Sequence, residues 1–151
     1  MNPFDWHTFL LARHAQHVAL IHFPIALFIA GVIFDLIAVW RRNNDFARVA
    51  YYNFCAAAIM TAPALLTGLI AWQWALEGQR LKGTLLLHLL AASTSILIIW
   101  CVWFLGRRDG RGAAPPGRTS LWKFALEFLG VCLLTLTGHL GGFLSGVNGG
   151  P

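Results

Sequence analysis

Charged side chains are scarce: Asp, Glu, Lys and Arg make up 11% of the 151 residues, against about 25% in soluble domains. With 58% hydrophobic residues and a mean hydropathy of +0.65, a water-soluble domain of this size could not hide its apolar surface, because small domains keep much of their surface exposed. That excludes an ordinary soluble protein. Cysteine is limited to Cys55, Cys101 and Cys132, each inside an apolar run and none in a CxxC or CxxCH pattern. A disulfide framework and covalently attached c-type haem are thereby excluded, and the three read as small buried hydrophobes. Methionine occurs only as Met1 and Met60, so there is no Met-rich copper cluster. HExxH, a Walker loop, GxSxG and GxGxxG are all absent, which removes the motif-bearing hydrolases, nucleotide-binding proteins and zincins. A cleavable signal is not expected, since Asp5 precedes the first cation, Arg13, and no small-residue cleavage site follows the first apolar stretch.

What remains is four long apolar runs, at about 18–40, 49–76, 84–105 and 121–145. Each approaches the roughly 20 helical residues that a hydrocarbon core requires. They are joined by RRNNDFAR, EGQRLKG and the longer Gly/Pro/Arg-rich GRRDGRGAAPPGRTS. Short connections make consecutive helices antiparallel neighbours. The expected fold is therefore an all-α integral membrane protein, an antiparallel up-down four-helix bundle over residues 17–147. Residues 1–16 read as an interfacial segment with Phe4, Trp6, Phe9 and Leu10 as anchors. Gly31, Gly68, Gly130, Gly138 and the AAA and AAS stretches supply small contact residues. Pro24 and Pro63 are expected to kink their spans, and Trp72, Trp74 and Trp122 suit an aromatic belt.

The net charge of +5 is not a nucleic-acid footprint, because the cations lie between spans and not on one aromatic-studded face. Instead it sets orientation. The first and third connections with their flanks carry Arg41, Arg42, Arg48, Arg107, Arg108, Arg111, Arg118 and Lys123, eight cations, against Arg13, Arg80 and Lys82 on the other side. The positive-inside rule then places both termini in the periplasm of a bacterial inner membrane, with lipid as the surrounding partner.

Ionisable side chains are expensive in hydrocarbon, so those inside the spans are candidate functional groups. His7, His14 and His17 precede or open the first span. His22 lies about 6 Å beyond that entrance, His88 about 6 Å into the third span, and His139 about 9 Å from the exit of the fourth, at 1.5 Å per residue. Three helices thus bring imidazoles to one level of the outer leaflet. Imidazole is a common ligand of haem iron, copper and zinc. Ala91, Ala92 and Ser93 follow His88, while Gly138, Gly141 and Gly142 flank His139. That setting suits haem b between helices, with His22, His88 and His139 as iron ligands and His17 and His14 as reserves. Copper, with His14, His17 and His22 as added nitrogens, stays open. So does a bundle whose histidines only satisfy neighbouring carbonyls. At the other end, Asp35 and Glu127 read as partners of Arg41, Arg42 or Lys123, or else as a proton entry point for quinone chemistry.

HxxHVALIHFPIAL, FDL, TGLIAW, a histidine opening the third span and TGHLGGFLSG together resemble the bacterial membrane family of unknown function 2231 (DUF2231), over roughly residues 14–147. Its pattern is HPxxVHFPIAL with a following Asp, TGLxDW, a His with a small polar residue, and GxLGGxLVYxHG. The resemblance implies functional weight for His14, His22, Pro24, Asp35, Thr67, Gly68, His88, Gly141 and Gly142. The chain departs from the pattern in reading His14–Ala15 for HP, Ala71 for the Asp of TGLxDW, and SGVNGG for the ending that carries a His. If that His is a ligand in relatives, His139 or His17 would serve instead. Members joined to Rieske or cytochrome-like modules imply redox work at the periplasmic face.

The expectation is accordingly a membrane b-type cytochrome or haem-binding anchor subunit. It would carry electrons within a larger membrane redox complex, with a cytochrome c or an iron–sulfur protein as exchange partner, and would not be an enzyme on its own. The alternatives are a non-catalytic scaffold or assembly subunit and a copper-handling membrane protein.

Overall fold

The computed structural model describes residues 13–74, 76–108 and 121–145. Four helices carry this part of the chain: α1 Arg13–Arg41, α2 Asn44–Trp74, α3 Gly83–Arg108 and α4 Leu121–Leu144. All four are long and apolar enough to cross a membrane. No strand occurs among the described residues. α1 begins at Arg13, so residues 13–16 continue the first helix, while the other interfacial residues, 1–12, lie outside the described ones. Both α1 and α2 run on as single helices through Pro24 and Pro63.

The link between α1 and α2 is only Arg42 and Asn43. Arg42 takes a positive φ of 49°, the left-handed conformation that ends helices, and Asn43 N donates to Ala38 O at 3.1 Å. Asn43 Oδ1 accepts from Asp45 N at 2.7 Å and so caps the start of α2. After α2 the chain turns through Glu77 and Gly78, with φ of 50° and 61°, and Trp72 Nε1 donates to Gln79 O at 3.0 Å.

Contacts between helix ends fix the up-down arrangement. His17 near the start of α1 meets Thr67 near the end of α2, and Tyr51 near the start of α2 lies against Gly106 near the end of α3. His88 early in α3 meets Thr137 late in α4. Asp35 late in α1 meets Lys123 at the start of α4. Packing is most extensive between α1 and α2, then between α3 and α4, and sparse between α1 and α4.

Small residues bring the helices together, as van der Waals packing in lipid requires. α2 buries Ala50, Ala57, Ala58, Thr61, Ala64 and Ala71, mostly at helical spacing along one stripe. The core is centred on Phe28 and Phe54, 0% and 1% exposed, with ring centroids 5.4 Å apart. Gly31 admits the Phe54 ring, and Gly130 admits Phe28. Gly138 has no neighbour within 4 Å of a Cβ built there, so it does not serve as the contact residue expected of it. Outward positions carry Leu66, Leu97, Phe128 and other large apolar side chains, as a lipid-facing surface should. Trp74 and Trp122 are exposed, whereas Trp72 is held to the turn after α2.

Candidate functional site

At the end of the bundle formed by the start of α1, the end of α2, the start of α3 and the end of α4, two histidines are built into seams between helices. His17 of α1 approaches α2 over Gly68, where an added Cβ would lie 2.9 Å from its Cε1. Its Nδ1 is 3.2 Å from Thr67 Oγ1. The Thr67 hydroxyl proton is shared between the carbonyls of Pro63 (2.9 Å) and Ala64 (3.1 Å). With that proton given to a carbonyl, the hydroxyl accepts from the Nδ1–H of the imidazole.

His88 repeats the arrangement in the second seam. Its ring lies over Gly141 of α4, with a built Cβ 3.3 Å from Cε1, and Nδ1–H donates to Thr137 O at 3.1 Å. A carbonyl is acceptor only, which again assigns the hydrogen to Nδ1. The same seam continues inward through Ser95 Oγ and Thr137 Oγ1, 3.4 Å apart, each with its proton given to a carbonyl of its own helix. Thr67 and Thr137 are each seven residues from the ends of their helices, Trp74 and Leu144. The two imidazoles are therefore anchored near the same end of the bundle, about 10 Å from those helix ends.

The other two intramembrane histidines face elsewhere. His22 is exposed and its Nδ1–H donates to Val18 O of its own helix at 2.6 Å. It follows His17 by five residues, about 140° around the helix axis at 3.6 residues per turn, and so turns away from the α2 seam. His139 is exposed, with its ring edge-on to Phe143 at 4.9 Å. It lies two residues from Thr137 and two from Gly141, about 200° around α4 from both, hence on the far side from His88. Azimuth was not legible in the sequence: His22 and His139 do not share a seam with His88. Among the described residues no group of three or more His, Cys, Asp or Glu is placed to hold a metal ion. The side chain of His14, and His7, lie outside the described residues.

His17 was the reserve and emerges as the ring in the α1–α2 seam. Its signal was the TGL motif, whose Thr67 and Gly68 supply the acceptor and the gap. The glycine of LGG, Gly141, does the same for His88.

A second polar cluster occupies the opposite end, between α1 and α4. Lys123 Nζ stands 2.7 Å from Asp35 Oδ2 and 3.4 Å from Glu127 Oε1. The expected pairing of Asp35 and Glu127 with a neighbouring cation is therefore present, and the cation is Lys123.

A family model described as a predicted membrane protein, DUF2231, matches residues 13–149. No curated protein and no solved structure matches the chain.

Proposed function

The chain belongs to the DUF2231 family of predicted membrane proteins, and we propose that it is a haem b-holding electron-transfer subunit in which His17 and His88 are the foremost residues that would hold the group. One observation carries this reading. Both rings are held through Nδ1 near the same end of the bundle, each over a glycine of the neighbouring helix. Metal-ligating histidines characteristically give their second ring N–H to a carbonyl or another protein acceptor, which fixes tautomer and ring orientation. The donor set thus suits an iron porphyrin in its chemistry. When bound, haem would supply one-electron exchange, and the hydrogen bonds of the imidazoles that hold it would tune its potential. Thr67 and Thr137 orient the imidazoles, and the apolar helices exclude water. His22 keeps the Nδ1-anchored form and is the next candidate.

The proposal extends to place and partners. The excess of cations at the Arg41–Arg48 end supports a bacterial inner-membrane orientation with the histidine end toward the periplasm. A periplasmic cytochrome c or iron–sulfur protein of a larger complex would exchange electrons there.

A second reading is a scaffold or assembly subunit. It is favoured by the same two hydrogen bonds, which tie α1 to α2 and α3 to α4 without any ligand, and by the outward turn of His22 and His139. Absorption spectra of the purified protein, oxidised and dithionite-reduced, separate the two. A Soret band with a sharp reduced α-band is expected, lost in His88→Ala and His17→Ala and kept in His139→Ala. A colourless, metal-free protein reconstituting no haem supports the scaffold instead. Copper by elemental analysis would move the assignment to copper handling.

A further inference from the structure

The cluster at the charged end holds chemistry that the histidines do not use. Asp35, Lys123 and Glu127 are 3%, 7% and 0% exposed, within helices long and apolar enough to cross a membrane. Around the ammonium stand the Asp35 carboxyl from α1, the Glu127 carboxyl from α4 and the ring of Phe54 from α2, whose centroid is 5.6 Å away. No other ionisable side chain of the described residues pairs with it.

Counting charge exposes an imbalance. Two carboxylates against one ammonium would leave a net negative charge buried in hydrocarbon, and an uncompensated buried ion is strongly unfavourable. The distances distinguish the two acids. At 2.7 Å, Lys123 and Asp35 make a charge-assisted hydrogen bond. At 3.4 Å, Glu127 is close to the ammonium, yet neither of its oxygens has a hydrogen-bond partner. An ionised carboxylate can only accept, and two unsatisfied acceptors in a buried ion would be costly. A neutral carboxylic acid escapes the ionic part of that cost. A groove of about 370 Å³ between α1 and α4 lies against Glu127. Its other walls, including Ile29, Val32, Leu36, Phe124, Phe128 and Val131, bring no polar group to the acid.

We propose that Asp35, Lys123 and Glu127 form a binding site for a single proton, held on Glu127 as a neutral acid beside the Asp35–Lys123 ion pair. The triad then has no net charge. This assignment is independent of the histidine reading and needs no cofactor.

Infrared spectroscopy of the whole protein in lipid tests it. Asp35 and Glu127 are the only buried carboxyls among the described residues. The wild type should show a protonated-carboxyl C=O band at neutral pH that is lost in Glu127→Gln and kept in the surface variant Asp45→Asn. Thermal unfolding gives a second readout. Glu127→Gln, a neutral isostere of the acid, should leave Tm unchanged, whereas Asp35→Asn, which strips the ammonium of its counter-charge, should lower it. Absence of the band from the wild type overturns the proposal, as does its persistence in Glu127→Gln. So would a Tm loss in Glu127→Gln equal to that of Asp35→Asn.

Discussion

Gly31→Ala is the sharpest probe of how the two phenylalanines lock this bundle. A methyl at Gly31 would lie 2.6 Å from Phe54 Cε1 and 2.7 Å from Cδ1, where carbon atoms prefer about 3.5–4.0 Å. One partner must retreat by about 1 Å to restore that spacing. The Phe54 ring has nowhere to go: it is 1% exposed and tilts against Phe28, which is fully buried. Phe28 is stopped in turn by α4, where a Cβ at Gly130 would stand 2.7 Å from its ring. The strain therefore passes to the α1–α2 interface. Overpacking of this kind costs about 1–3 kcal/mol, against a helix-propensity gain for Gly→Ala of at most about 1 kcal/mol, so net destabilisation of about 1–2 kcal/mol is expected. Equilibrium unfolding in detergent micelles measures it, with Gly138→Ala as control, since that methyl meets nothing within 4 Å. In a Phe54→Leu background the penalty should shrink, giving a coupling of about 1 kcal/mol for residues in contact. If Gly31→Ala proves as harmless as Gly138→Ala, or its effect is the same with Leu at position 54, the ring-lock argument fails.

Two further outcomes follow from the charged end. Lys123→Met removes the ammonium from a site where Asp35 is 3% exposed; breaking one side of a buried ion pair should destabilise by about 3–5 kcal/mol, read by the same unfolding assay. For orientation, single cysteines at Asn43 and at Gln79, in a variant with the three native cysteines replaced, should react differently with a membrane-impermeant maleimide in intact cells. Gln79→Cys is labelled from outside and Asn43→Cys is protected; the reverse pattern inverts the proposed orientation.

The four spans were legible because lipid imposes a crude and lengthy signal. Runs at 18–40, 49–76, 84–105 and 121–145 correspond to helices 13–41, 44–74, 83–108 and 121–144, and they differ mainly at ends where polar residues continue a helix past the hydrocarbon. Arg13 and Asn44 are such residues. Which way a side chain points was not legible. His22 and His139 looked equivalent to His88 by depth, and only the partners of Thr67, Thr137 and Gly141 show that the inward-seam rings are His17 and His88. Helices that are apolar all round give no polar face from which azimuth could be inferred. The choice of Lys123 over Arg41 or Arg42 as the partner of Asp35 was likewise hidden, because it depends on α4 crossing α1, a contact between residues 88 positions apart.

The uneven packing of the helices bears on biogenesis. α1 and α2, joined by two residues, form a hairpin whose broad interface is entirely local. α3 and α4 make another. The first half therefore needs no residue of the second to form its own interface, including the seat of His17 on Thr67. A group held by imidazoles from both hairpins, as proposed above, would be loaded only after the halves meet, so its insertion would follow the docking of the two hairpins.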